Sequence, residues 1–335
     1  MKDNTCQLTF DWGDYALWTE YTELNKEMKL VEEFIRKSVS SRNKLLSTIV
    51  NELIAAGGKR LRPAFVLMSA KFGKTDSKKI IRAAGALEIL HTATLVHDDI
   101  IDRSEFRRGK ITVSEKYGNE MAIYVGDFLF TKAVLMLSNG IPTEKLEIVA
   151  RTIKVICEGE VDQYQDKFNV NTTSFSYLKR VSRKTAVLFG ATCGLGASLA
   201  KCQVQIGKDL ARFGLYYGMA FQIKDDLHDF LSDAGSVGKP VENDLVKGVV
   251  TLPVIYAKRK SVELAKLLSK ALNKKDGLSP SDFKNVYTLV AENGGIEKTE
   301  IMLQRYIDRG LKILERLPEN EYRDLFRKLI MELKS

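Results

Sequence analysis

Between Leu87 and Arg108 the chain reads LEILHTATLVHDDIIDRSEFRR, which sets Asp98, Asp99 and Asp102 at i, i+1 and i+4 and follows them with the cations Arg107 and Arg108. On a helix, residues four apart lie on one face, so Asp98 and Asp102 point the same way, with His91 two turns below on roughly the same line. Burying carboxylates is costly unless they are paired or bind metal, and the C-terminal end of a helix dipole already repels anions. Three acids there call for a cation. Magnesium suits them best, because one or two carboxylates usually hold it together with waters and substrate phosphates. A solvated acidic helix end is the competing explanation for one cluster alone. A second cluster, Asp225-Asp226-Leu227-His228-Asp229, repeats the spacing at the end of another apolar helix and weakens that explanation. Two such clusters in a helical protein suggest a cavity with acid on both walls. Neither is an EF-hand, since the loop glycine and closing glutamate are missing.

The cations tell a matching story. Gly57-Gly58-Lys59-Arg60-Leu61-Arg62-Pro63 puts three basic residues on a turn where glycine lets the backbone approach a ligand closely. Arg62, Arg107 and Arg108 offer planar forks for phosphate oxygens, and Lys59 a point charge. Taken alone, the turn reads equally well as a solvated loop. It is not a P-loop, because the strand, the spacing and the Lys-Ser/Thr ending are absent. The 335 residues carry 52 Lys and Arg against 43 Asp and Glu, a formal charge of +9 that favours anionic partners. The bases are dispersed and no nucleic-acid motif is present, so DNA and RNA are set aside. A phosphorylated substrate or an anionic membrane surface accounts for the charge equally well.

Helices must position these groups. Only 6 prolines and almost no strand-like alternation point to an all-α fold, and 44% hydrophobic residues are enough for a sizeable core. Helices are expected over 21–38, over 42–56 with a stop at Gly57-Gly58, from Pro63 onward, and over 77–102. Further helices are expected over 120–138, 143–168, 173–199 and 203–231, with amphipathic helices to the end. Residues 103–117 read as a polar connection and 233–248 as the longest loop. No linker rich in Gly, Ser or Pro divides the chain, so a single domain over 1–335 is expected. Residues 1–20 form an irregular extension, with Trp12 and Trp18 docking it onto the body. Cys6, Cys157, Cys193 and Cys202 are spaced irregularly and read as free buried thiols of a cytoplasmic protein. Neither a secretory segment nor an uninterrupted apolar run of about 18 residues is evident, so no membrane span is expected.

DDIID followed by RRG, together with GGKRLRP, His91, Lys184-Thr185 and the stretch Gly218-Met219-Ala220-Phe221-Gln222-Ile223-Lys224-Asp225-Asp226, resembles the trans-isoprenyl diphosphate synthase family. The likeness runs from about Leu45 to Ala257, with several motifs in the family's order. It implies a single-domain bundle of antiparallel helices around a central cavity, the type I isoprenoid synthase fold. It also implies head-to-tail condensation of isopentenyl diphosphate with an allylic diphosphate. By resemblance, Asp98, Asp102 and Asp225 are the main ligands of three magnesium ions, with Asp99, Asp226 and Asp229 supporting. Arg107, Lys184 and Lys239 match groups that grip the allylic diphosphate; Lys59, Arg62, His91 and Arg108 match those that hold isopentenyl diphosphate. Thr185 and Gln222 match residues whose oxygens face the developing carbocation. His97 and His228 sit beside aspartates and are read as supporting them rather than as general bases. The family's proline before threonine is replaced here by Ile111-Thr112, and the basic tail of short-chain members has no counterpart. The resemblance suggests a homodimer packed through apolar helices.

In the family, bulk one to three turns before the first aspartate limits product length. Those positions here are Thr94, Ala93, Leu90 and Leu87, none aromatic. From Asp98 to Leu87 the wall spans roughly 16 Å at the helical rise. A product longer than farnesyl is therefore expected, from geranylgeranyl to heptaprenyl, and membrane-seeking. Three other functions compete: a catalytic subunit that needs a partner, a terpene cyclase on the same fold, and a non-catalytic subunit. DDLHD and GGKRLRP argue against a cyclase, which has no use for an isopentenyl site. A non-catalytic subunit would be expected to lose metal aspartates, and none is lost.

Overall fold

Apolar residues at helical spacing, closed by well-formed caps, make the chain all-α apart from one two-residue hairpin. The computed structural model describes residues 18, 20–74, 76–139, 141–234, 244–273 and 280–334. Their contacts gather into two compact units, Met1–Met68 with Asp76–Ile141, and Ser69–Thr75 with Pro142–Ser335.

The first unit holds α1 (Thr22–Ser38), α2 (Lys44–Ala55), most of α3 (Leu61–Ala70) and α4 (Ser77–Ile101). The hairpin β1 (Phe106–Arg107) and β2 (Lys110–Ile111), α5 (Val113–Tyr117) and α6 (Asn119–Ser138) complete it. Asn43 caps α2 by accepting the Leu46 N–H at 3.1 Å, and Asp76 starts α4 the same way through Lys79. Pro63 falls in the first turn of α3, where its missing N–H costs nothing. Helix α4 is the centre of this unit: Ile80, Ala83–Leu90, Ala93, Val96 and Asp99 are buried, and the helix packs on α6 and α1. The polar connection expected over 103–117 is not structureless. Phe106 pairs with Ile111 across the antiparallel hairpin, and the Thr112 hydroxyl caps α5 through Glu115.

Among the described residues, α6 is the one helix long and apolar enough to cross a bilayer by length and composition. About two-fifths of its most apolar stretch is buried in the protein, and Glu120, Asp127 and Lys132 interrupt it. Ile123, Tyr124, Phe130, Val134 and Leu135 are exposed along it.

The second unit holds α7 (Thr143–Asp166), α8 (Ser174–Val181), a π turn (Ser182–Ala186), α9 (Val187–Leu199) and α10 (Val204–Ala234). It continues with α11 (Leu252–Lys258), α12 (Val262–Asn273), α13 (Pro280–Glu292), α14 (Gly295–Leu314) and α15 (Glu321–Met331). Residues 173–199, expected as one helix, are broken by the π turn. Helix α10 is the axis, packed on α9 and α14. Phe189, Phe213, Tyr217 and Phe326 interlock around it, with ring centroids 4.8 Å apart for Phe213 and Phe326 and 5.2 Å for Phe189 and Tyr217. Cys157, Cys193 and Cys202 are free thiols, but of the three expected to be buried only Cys193 is, Cys202 being half-buried and Cys157 exposed on α7; burial pushes the Cys193 thiol up to about 12. Cys6, Trp12 and most of the 233–248 loop lie outside the described residues.

Candidate active site

The first acidic cluster sits where α4 ends. Asp102 is the C-cap, with its N–H on the Asp98 carbonyl at 2.8 Å. Beyond it Arg103 turns left-handed (φ 51°), and the N–H groups of Arg103 and Ser104 return to Ile100 and Asp99, a Schellman ending built without glycine. Asp98 and Asp102 are half-buried and share a helix face. Asp99 is different: it is buried and accepts from Arg107 Nε at 2.5 Å. Burial pushes its carboxyl up, and the Arg107 guanidinium opposes that shift.

The hairpin that follows returns the arginines to the glycine turn. Arg108, left-handed at φ 52°, donates from its guanidinium to the Gly57 carbonyl. Gly58, at φ +147°, makes room for it, since a Cβ there would fall 2.1 Å from Arg108 Nη1. The close approach that glycine was expected to allow is thus made by Arg108. Lys59 is half-buried, and its carbonyl accepts from the indole of Trp18 at 3.2 Å.

Arg60, which sequence reasoning passed over, lies at the heart of this turn. It is buried and left-handed (φ 46°). Its Nε donates to Glu32 at 2.6 Å, Nη1 to Glu88 at 2.9 Å and Nη2 to the Ile54 carbonyl at 3.1 Å. One guanidinium thereby joins α1, the end of α2 and α4 to the turn. In the sequence it is no more than one of three basic residues on the turn.

His91 is half-buried on α4. Desolvation first, then the charges of Arg62, Arg108, Arg107 and Arg60, hold its imidazole well below the ordinary 6.5, so it is neutral at pH 7. The positive charge of these arginines around a neutral histidine favours an anionic ligand. Beside it lies a cavity of about 460 Å3, floored by Leu53, Leu95 and Val96 and edged by Arg107, Arg108 and Lys110. Of the proposed chain-length positions, Leu87, Leu90 and Ala93 are buried and Thr94 is half-buried. His97 faces Asp127 on α6 at 3.5 Å, with Gly126 leaving space for its ring.

In the second unit the π turn presents Lys184 and Thr185. Such turns are rare and frequently sit at functional sites. Two glycines allow neighbours to press on it: a Cβ on Gly159 of α7 would lie 2.8 Å from Arg183 Cβ, and one on Gly218 of α10 would lie 2.6 Å from Ala186 Cα. Lys184 Nζ bonds Glu160 at 3.0 Å. Thr185 donates to Gln222 Oε1 at 2.8 Å, and Gln222 Nε2 donates to Asp226 Oδ1 at 2.7 Å. Asp226 Oδ2 accepts from Tyr177, an unforeseen member of this group, at 2.5 Å. Burial, with the Asp244 charge adding to it, pushes the Asp226 carboxyl up to about 7. Asp225 and Asp229, four apart, are exposed on a common face, and His228 lies 3.9 Å from Asp229. Lys239 lies outside the described residues.

Among the described residues, no three His, Cys, Asp or Glu side chains converge as a ready-made metal site. Asp98 with Asp102, and Asp225 with Asp229, are instead carboxylate pairs of hard oxygen donors. That arrangement fits magnesium, which demands few protein ligands when substrate phosphates complete its shell.

The sequence profile of the polyprenyl synthetases matches residues 43–290, a span that includes both acidic clusters and the glycine turn. The chain belongs to the polyprenyl synthetase family. It is therefore a prenyltransferase of the type I isoprenoid synthase fold, a family that uses divalent metal. Component 2 of the heptaprenyl diphosphate synthase of Geobacillus stearothermophilus is 38% identical over 93% of this chain and 96% of its own. Among solved structures, heptaprenyl diphosphate synthase from Staphylococcus aureus is 33% identical with a TM-score of 0.87, covering 93% of this polyprenyl synthetase and 98% of its own chain. Geranylgeranyl pyrophosphate synthase from Lactobacillus brevis is 30% identical with a TM-score of 0.90, covering 96% and 99%.

Proposed function

We propose that this polyprenyl synthetase condenses isopentenyl diphosphate with an allylic diphosphate to give a trans-polyprenyl diphosphate longer than farnesyl, from geranylgeranyl to heptaprenyl. The observation that carries this reading is the return of the hairpin arginines to the other two motifs: Arg108 donates to the Gly57 carbonyl of the glycine turn, and Arg107 to Asp99 at the acid-tipped end of α4. Lys59, Arg62, His91 and Arg108 bind the diphosphate of isopentenyl diphosphate, and Arg107, Lys184 and Lys239 grip that of the allylic substrate. Asp98, Asp102 and Asp225 would hold three magnesium ions, with Asp99, Asp226 and Asp229 supporting. When bound, the metal neutralises the charge growing on the departing diphosphate. The allylic carbon–oxygen bond breaks with its electron pair leaving on diphosphate, and the oxygens of Thr185 and Gln222 face the resulting cation. The double bond of isopentenyl diphosphate forms the new carbon–carbon bond, and the proton then lost is taken up by the released diphosphate. No protein nucleophile is required.

The absence of aromatic side chains from Leu87 to Thr94 supports a product longer than farnesyl. The exposed apolar strip on α6 supports a homodimer, and free thiols at Cys157, Cys193 and Cys202 support a reducing, cytoplasmic setting. One observation favours a second reading, a catalytic subunit that works only with a partner: the printed name of the Geobacillus relative is a component 2.

Incubating the purified chain with magnesium, isopentenyl diphosphate and radiolabelled farnesyl diphosphate tests these readings. We expect products of 20 to 35 carbons, that is about four to seven five-carbon units by the stated range, shortened by Ala93→Phe. Diphosphate release without isopentenyl diphosphate would mean a cyclase. Turnover only after a second subunit is added would mean the heteromer. An unchanged product distribution in Ala93→Phe would remove that residue from chain-length control.

A further inference from the structure

The two acidic clusters are built alike in a respect their shared spacing does not reveal. In each, the acids at the first and fifth positions are half-buried (Asp98, Asp102) or exposed (Asp225, Asp229), whereas the second acid is buried and accepts a short hydrogen bond, Asp99 from Arg107 and Asp226 from Tyr177. For Asp226 both oxygens are engaged, Oδ2 by the Tyr177 hydroxyl at 2.5 Å and Oδ1 by the Gln222 amide at 2.7 Å.

Gln222 turns its NH2 toward two acids at once, Asp226 Oδ1 at 2.7 Å and Asp225 Oδ2 at 3.4 Å, and both accept from it in their ionised form. That leaves Oε1 as the atom facing Thr185, and the Thr185 hydroxyl has to donate to it, as the 2.8 Å contact shows. With its proton committed, Thr185 has only lone pairs left to offer.

We propose that Tyr177 is a positioning residue: through Asp226 and Gln222 it orients Thr185 so that an oxygen lone pair, rather than a hydroxyl proton, is presented to the allylic cation. This rests on the prenyltransfer reading given above, in which Asp226 supports the metal site without being one of its main ligands. Tyr177 is fully buried on α8, so its ring is fixed by packing, and its hydroxyl is the outermost donor of the series. Its spacing from Thr185, eight residues with the π turn between them, is what brings both onto α10 at Asp226 and Gln222.

The test is a double-mutant cycle with Tyr177→Phe, Thr185→Val and the pair, all checked for native circular dichroism. Turnover of Tyr177→Phe should fall about tenfold or more, while KM for both diphosphates stays within about twofold, since no group touching a diphosphate is changed. If Tyr177 acts through Thr185, the pair should be no slower than Thr185→Val alone. Melting temperatures of the same four proteins without substrate read the relay separately: their shifts should be non-additive. Multiplicative losses of turnover with additive melting shifts would overturn the relay. A wild-type protein that makes no prenyl product would instead sink the functional reading and leave the melting cycle to decide on the relay.

Discussion

At the scale of single residues, the arginine that binds no substrate in our reading is the one most deeply held. Arg60 lies between Glu32 and Glu88 with all three side chains nearly inaccessible, and removing one member of such a group leaves buried charge without a partner. Arg60→Met should cost about 3–5 kcal/mol of folding stability. Chemical denaturation should show a lower midpoint with an unchanged slope; a midpoint equal to wild type would mean the acids find other donors. The sequence made Lys59, Arg62, Asp98 and Asp225 legible because their types and spacing announce phosphate and metal chemistry. Arg60 and Tyr177 were not legible, because their partners are 28 and 49 residues away and only folding brings the acids to them.

At the scale of elements, the helix end at Gly57-Gly58 was readable because glycine wrote it, whereas the Asn43 cap fell inside the helix expected over 42–56. The hairpin of Phe106–Ile111 and the π turn were missed, because two-residue strands and one added residue leave no periodic trace. The contact between α10 and the π turn depends on Gly218, where a methyl group would fall 2.6 Å from the Ala186 backbone. Gly218→Ala should destabilise by about 1–3 kcal/mol through overpacking and lower turnover by parting Gln222 from Thr185. Gly207→Ala, on the same helix but with its nearest neighbour at 3.8 Å, should stabilise by about 0.4–1 kcal/mol. Thermal unfolding of the two variants side by side checks both signs; a stabilised Gly218→Ala would show that the π turn can yield.

At the scale of the whole molecule, the all-α class followed from composition and periodicity, yet the grouping of contacts into two units did not, since no linker marks it. The outer strip of α6 was equally hidden: sequence alone reads an apolar helix as core, and exposure of Tyr124 and Leu135 at 58% and 52% appears only in the folded chain. If that strip joins two copies, Tyr124→Arg with Leu135→Glu should shift the species seen in sedimentation velocity from dimer to monomer. A monomeric wild type, or a dimer that survives the substitutions, would remove α6 from assembly.

The π turn makes the enzyme sensitive to the number of residues in this helix as well as to their side chains. Deleting one residue within Ser182–Ala186 would let Ser174–Leu199 run as an unbroken α-helix, which is locally the easier structure to form. Everything beyond the deletion would then be rotated by about 100° about the helix axis, carrying the face of α9 that meets α10 out of phase with Tyr177. A one-residue gap here is therefore a heavier change than most substitutions, and its effect would be on the alignment of two helices rather than on any single contact.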